Sequence, residues 1–308
     1  MKLNEQQKKI VELKEEKNAL FLVHNYQIPE IQVLADYIGD SLGLCREAQK
    51  VEDKDLIVFC GVDFMAETAA ILNPDKKVVL PSHQACCPMA AMLPTSQLKK
   101  AKENHPGIPV VLYVNTLAEA KAEATVTCTS ANAAEIVRKL DSEEVLFGPD
   151  SNLAYYVRNQ VPDVNLIVVP EGGHCNVHRF IGKGEEALEL KKKYPEAELW
   201  AHPECEPELQ DLADYILSTG GMVRRARESD AETFIVGTEV GLIERLKREH
   251  PDKRFLPAKE HAVCAAMKRI GLDNLYLSLV NEAPEIRVDE DIVSRARDAI
   301  ELMLELSS

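Results

Sequence analysis

No stretch of this chain stays apolar for the roughly 20 residues a helix needs to cross a bilayer, so no membrane-spanning helix is expected. Its opening, MKLNEQQKKIVELKEEKN, is charged throughout and lacks the apolar centre of a secretory signal. A cytoplasmic protein is expected on both grounds. Positive charge is in deficit: 36 Lys and Arg face 51 Asp and Glu, a net charge of −15. That is the wrong sign for holding nucleic acid by its phosphates. Small anionic ligands stay open, held by helix N-termini, backbone N–H groups and a few side chains against the field of the surface. The paired CxxC spacing of a sequence-local zinc site is also absent. The eight cysteines, at 45, 60, 86, 87, 128, 175, 205 and 264, are not expected to form a disulfide framework in a chain of this length in a reducing compartment. Most should be small buried residues. Any metal site has to be assembled from cysteines far apart in sequence.

What the chain does contain is repetition, within 308 residues that are 45% hydrophobic, enough to bury a sizeable core in two or three units. A Lys-rich amphipathic segment precedes an apolar strand three times, in NEQQKKIVELKEEKNALFLVHNY, SQLKKAKENHPGIPVVLYVN and EEALELKKKYPEAELWAHPE. A short apolar run, a Ser or Thr with Gly or Asn, and a helical pattern follow in ADYIGDSLGLCREAQK, ATVTCTSANAAEIVRKL and ADYILSTGGMVRRA. A further strand with its glycine, and a closing strand in KVVLP, LIVVP and RFLP, complete each copy. His24, Tyr113 and His202 lie 89 and 89 residues apart; Ser41, Ser130 and Ser218, 89 and 88; Gly61, Gly148 and Gly237, 87 and 89; Pro81, Pro170 and Pro257, 89 and 87.

Short apolar strands alternating with helices predict an α/β fold. Three repeats related by a pseudo-three-fold, each a small parallel sheet flanked by helices in αβα layers, should surround a central active site. The phase places the repeats at 1–88, 89–176 and 177–265, with a helical segment, 266–308, packing on them. Ligands of such sheets gather at the carboxyl ends of the strands, and here those ends carry the polar residues.

After each closing proline comes a loop with a cysteine, in PSHQACCPMA, PEGGHCNVH and PAKEHAVCAAM. Cys87, Cys175 and Cys264 are 88 and 89 residues apart, and the other five have no counterpart at this phase. A repeat can duplicate a buried structural thiol as well as a ligand. These three, however, sit in polar loops beyond strand ends, and three thiolates converging on one axis make a metal site. They suit a zinc ion with a fourth ligand or a water, or a [4Fe–4S] cluster that keeps one iron open. The residue chemistry leaves both open.

The strings LFLVHNYQ, ADYIGDS, ACCPMA, LYVNT, TSANA, FGPDSNLA, EGGHCNVH, AHPEC, DYILSTGGM, VGTEVGLI and AVCAAMK, spread from residue 19 to about 270, resemble the quinolinate synthase family of bacteria and archaea. The resemblance implies a three-domain α/β triangle with one [4Fe–4S] cluster per chain on Cys87, Cys175 and Cys264. It implies condensation of iminoaspartate with dihydroxyacetone phosphate to quinolinate, phosphate and water, in NAD biosynthesis. The iron would act as a Lewis acid, and an L-aspartate oxidase or dehydrogenase would supply the iminoaspartate. The family has one cysteine before Pro-Met-Ala, which matches Cys87, so Cys86 is expected as a packed thiol.

By the same resemblance Glu204 is the general acid/base, with Tyr26, His24 and His202 beside it. His24, Ser41, Tyr113, Val114, Asn115, Ser130, His178, His202, Pro203, Glu204, Ser218 and Thr219 are expected to hold substrate. Residue logic adds that Ser41, Ser130, Ser218 and Thr219 precede helices, where a hydroxyl serves as an N-cap and the free N–H groups suit an anion. His174 and His178 flank Cys175, and the family match favours His178. A zinc-dependent hydrolase on the same cysteines and a non-catalytic ligand-binding protein are the competing readings.

Overall fold

A computed structural model describes residues 3–307; residues 1, 2 and 308, at the outer ends of the first and last expected segments, lie outside the described residues. Three four-stranded parallel sheets form the molecule. The first contains β1 (Ala19–His24), β2 (Tyr37–Gly39), β3 (Leu56–Cys60) and β4 (Lys77–Val79). The second contains β5 (Val110–Tyr113), β6 (Val126–Cys128), β7 (Glu144–Gly148) and β8 (Asn165–Val168). The third contains β9 (Glu198–Ala201), β10 (Tyr215–Ile216), β11 (Thr233–Gly237) and β12 (Arg254–Pro257). The order is the same in all three, β2-β1-β3-β4 and its counterparts, so the first and third strands of each copy are central and covered on both faces. That is why they read as unbroken apolar runs such as LIVFC and VVLY.

The C-terminal helices bind the copies together. Helix Leu272–Asn281 packs on helix Glu5–Glu16, and helix Glu290–Leu306 lies across β6 and the helices Asp63–Leu72 and Ala118–Lys121. The last helix buries Ala296, Ala299, Ile300 and Met303, and Arg297 Nη2 reaches the Ile71 carbonyl at 2.6 Å. No helix among the described residues is long and apolar enough to cross a membrane.

The expected serine caps are only partly present. Ser218 caps helix Thr219–Glu228 by accepting the Gly221 N–H. Helix Ser41–Gln49 is capped instead by Asp40, through the Gly43 N–H at 2.9 Å. Asn132 occupies the cap position of helix Ala133–Lys139. A carboxylate accepts helix N–H groups as well as a hydroxyl does and adds charge to the positive helix end.

Candidate active site

Each central first strand ends in a loop that returns two side chains to one cavity. These are His24 and Tyr26, Tyr113 and Asn115, and His202 and Glu204, drawn from three different sheets. Ser41, Ser130 and Thr219 line the same space, as do Cys87, Cys175 and Cys264. Its apolar wall comes from Leu42, Val62, Phe64, Met65, Met89 and Met267, and it leaves about 60 Å³ of room for water.

Two of the loops share a local device. The Tyr26 N–H donates to His24 Nδ1 at 3.2 Å, and the Glu204 N–H donates to His202 Nδ1 at 3.2 Å. Each imidazole therefore carries its ring proton on Nε2 when neutral, and His202 Nε2 lies 3.2 Å from Ser130 Oγ. Burial pushes His24 down to about 4 and His202 to about 3, so near neutrality both are uncharged donors. The unfolded chain takes up protons below 6.5 and the native rings do so only near 4 and 3. Stability of the metal-free protein should therefore fall as pH drops through 6.5, and at pH 5 the cost is about 2 kcal/mol per ring. Urea unfolding at pH 7.5 and pH 5 checks this, and His24→Asn should show a shallower dependence than the parent. An equal slope in both would remove His24 as the source.

Glu204 lies at the centre of a connected network. Tyr113 Oη donates to Glu204 Oε1 at 2.5 Å and Asn115 Nδ2 donates to the same oxygen at 3.3 Å. His178 Nδ1 lies 2.7 Å from Oε2, off the hydrogen-bonding direction, and its ring stacks on His202 with centroids 4.6 Å apart. On its far side His178 Nε2 meets Thr238 Oγ1 at 2.9 Å, and Thr238 Oγ1 meets Tyr26 Oη at 2.6 Å. Hydrogen bonds thus link Tyr26 through Thr238 to His178, and Glu204 with its Tyr113 partner lies in contact with the end of that chain. Burial opposes the Glu204 carboxylate, but the adjacent His178 ring and the Tyr113 hydrogen bond outweigh it and hold the group ionised, below the usual carboxylate range. Burial, with the charge of Glu204, raises both tyrosines well above 10, so they stay protonated donors. The buried Asn115 Oδ1 has no hydrogen-bond partner among the described residues. An unpaired acceptor in a cavity wall suits a ligand hydroxyl or amine.

The three cysteines border the same cavity. They line both this cavity and a depression on the outer surface that also contains Phe180, His261 and Val263. Burial raises each of the three thiols, and on Cys175 the charges of Glu204, Cys87 and Cys264 add to it. Three such thiols cannot ionise together without a cation between them, which is what a metal centre supplies. A sulfur of Cys175, a nitrogen of His178 and an oxygen of Glu204 also lie within 4.8 Å of one another. The donor set therefore fits a metal centre. Cys86 corrects an expectation: it is exposed at the loop tip, its Sγ donating to the His83 carbonyl at 3.1 Å, and is not packed. Cys45, Cys60, Cys128 and Cys205 are buried as expected.

Several expected substrate residues do not line the cavity. Val114 faces a separate small apolar space, and its N–H pairs with the Cys128 carbonyl. Pro203 presents its carbonyl to Gln210, His178 stands behind Glu204, and the Ser218 hydroxyl reaches Asp40 at 3.1 Å. Asp40 also accepts the Gly220 N–H at 3.2 Å, so this carboxylate already occupies the helix end expected to face an anion. His174 is held by the Gly172 carbonyl at 2.8 Å.

Sequence reasoning missed Thr238, Asp40 and three further carboxylates. Asp63 Oδ1 accepts the Cys87 N–H at 2.9 Å, and Glu239 Oε1 accepts the Cys264 N–H at 3.0 Å. In the second unit the counterpart is Asp150, which burial and the charge of Glu204 hold well above the usual carboxylate range, with the Cys175 N–H acting the other way. All three stand two residues after the phase glycines Gly61, Gly148 and Gly237, a signal the repeat made available.

The chain matches the family described as quinolinate synthetase A protein over residues 8–305. It is 55% identical to the quinolinate synthase of Methanothermobacter thermautotrophicus over 305 residues, covering 99% of both chains. It is 55% identical to that of Thermococcus onnurineus over 307 residues, covering 100% of both. With that of Methanocaldococcus jannaschii it shares 51% over 303 residues, 97% of this chain and 98% of the other. Three repeated α/β units, a cavity where their strand ends meet and agreement along nearly the whole length lead to one conclusion: the chain belongs to the quinolinate synthase family.

Proposed function

We propose that this protein condenses iminoaspartate with dihydroxyacetone phosphate to quinolinate, phosphate and water, for NAD biosynthesis in the cytoplasm, with a [4Fe–4S] cluster on Cys87, Cys175 and Cys264. The observation that carries the reading is one cavity lined by three phase-related cysteines together with an ionised Glu204 that Tyr113 hydrogen-bonds and His178 adjoins. When bound, the cluster supplies an iron free of protein thiolate, a Lewis acid and template for the intermediate. The remaining chemistry belongs to side chains. Glu204 takes a proton during dehydration and ring closure, with Tyr113 hydrogen-bonded to one of its oxygens and His178 beside the other. His24 and His202 present Nε2–H donors, while Ser41, Ser130 and Asn115 orient the dicarboxylate and Thr219 lines the cavity beside them. An L-aspartate oxidase or dehydrogenase would supply the short-lived imine.

Family membership favours neither a zinc hydrolase nor a non-catalytic ligand-binding protein. The test is quinolinate formation by anaerobically purified protein from dihydroxyacetone phosphate and enzymatically generated iminoaspartate. Turnover that disappears on prolonged aeration is expected, because an open iron is exposed to oxidants. No quinolinate, or activity indifferent to air, would contradict the reading.

A further inference from the structure

The three loops that carry the site residues share a support that the catalytic description does not use. Six residues beyond Tyr26, Asn115 and Glu204, at 32, 121 and 210, stands one polar side chain almost sealed from solvent: Gln32, Lys121 and Gln210. They are 89 and 89 residues apart and lie on the short helices Pro29–Gln32, Ala118–Lys121 and Pro207–Leu212. Gln32 Nε2 donates to the carbonyls of Asn25 at 3.1 Å and Gln27 at 2.9 Å. Gln210 Nε2 donates to those of Pro203 at 2.9 Å and Cys205 at 2.8 Å. Lys121 Nζ donates to the carbonyl of Thr116, which stands at the same phase as Gln27 and Cys205.

Each of the three also reaches into another unit, and the contacts close a ring. Gln32 of the first unit donates to the Gly241 carbonyl of the third at 3.0 Å. Gln210 of the third donates to the Asn152 carbonyl of the second at 3.0 Å. Lys121 of the second lies 5.4 Å from the Phe64 ring of the first and feels the charge of Glu67 there. The contacted residues lie on corresponding helices, Val240–Glu249, Ser151–Gln160 and Asp63–Leu72.

We propose that Gln32, Lys121 and Gln210 are positioning residues, one per unit. They fix the loops bearing His24 and Tyr26, Tyr113 and Asn115, and His202 and Glu204, and they lock each unit to its neighbour around the cavity. The loops turn away from their sheets, so their buried carbonyls need donors from elsewhere, and an orphaned one is costly. Lys121 does with a buried ammonium what the other two units do with an uncharged amide. Desolvation opposes its charge and brings it down to about 8, with Glu67 acting the other way. An amide at position 121 should therefore serve.

The test uses full-length, anaerobically prepared protein carrying Gln210→Leu, Lys121→Met or Lys121→Gln, with wild-type turnover in the same assay as the control for the activity itself. A shift of about 1 Å in a reacting group costs roughly 10²-fold, so Gln210→Leu and Lys121→Met should lose roughly 10- to 100-fold in kcat. KM should stay within about threefold and metal content should be unchanged, because the cysteine loops are held by other contacts. Lys121→Gln should keep kcat within about threefold of wild type. A kcat near wild type in Gln210→Leu or Lys121→Met, whatever happens to their melting temperature, would reduce the set to structural supports and overturn the proposal. So would a Lys121→Gln protein as impaired as Lys121→Met. Should Lys121→Met not fold, Lys121→Gln still decides, since the proposal requires the amide to restore both fold and turnover.

Discussion

Replacing Cys87, Cys175 or Cys264 by serine is expected to remove the metal centre and quinolinate formation together, while Cys86→Ser keeps both. The three thiols wall one cavity from three separate units, and burial with mutual repulsion keeps them protonated unless a cation draws them into ionisation. A serine hydroxyl ionises far less readily than a thiol and is a poor ligand for iron. With three protein ligands to begin with, loss of one leaves too few to retain a cluster. Cys86 lies outside both the cavity and the outer depression, with its thiol on a local carbonyl. Iron content and turnover of the four anaerobic variants check the assignment. A brown, active Cys87→Ser protein would move the ligand to Cys86.

The second large effect is expected from Glu204→Gln, which keeps the side chain's volume but removes its charge and its capacity to accept a proton. Turnover should fall by roughly 10²–10⁴-fold, the contribution of one positioned acid/base. Iron content and binding of substrate analogues should survive. Tyr113 Oη can still donate to the amide oxygen, so the loop has reason to hold its shape. The measurement is quinolinate formed per iron-loaded chain. Near-wild-type turnover would remove Glu204 from the mechanism, and a variant without iron would recast it as a support of the metal centre.

The pattern of these residues was legible because the chain repeats. The 89-residue period placed His24, Tyr113 and His202 at equivalent strand ends and separated Cys87, Cys175 and Cys264 from five other cysteines. Apolar runs too short for spans and bounded by polar residues gave the strands, and the observed sheets follow them. The direction of individual side chains was less accessible. Val114 and Pro203 sit between cavity residues, and in an extended segment neighbours point to opposite sides, so Val114 turns to an apolar space and Pro203 contributes a carbonyl. Ser218 satisfies its hydrogen bonds with Gly221 and Asp40, a contact between residues 178 positions apart that no local pattern announces. Thr238 joins Tyr26, 212 positions away, to His178, 60 positions away. The buried supports differ in kind: Gln32, Lys121 and Gln210 follow the same period, but amide and ammonium look unrelated until their shared carbonyl partners are seen.

Iron, zinc and acid-labile sulfide per chain, measured on anaerobically purified protein, test the central claim most directly. The account predicts about four iron and about four sulfide in each chain, with a broad brown absorption that air bleaches. One zinc per chain without sulfide, or a colourless metal-free protein that still makes quinolinate, would contradict it.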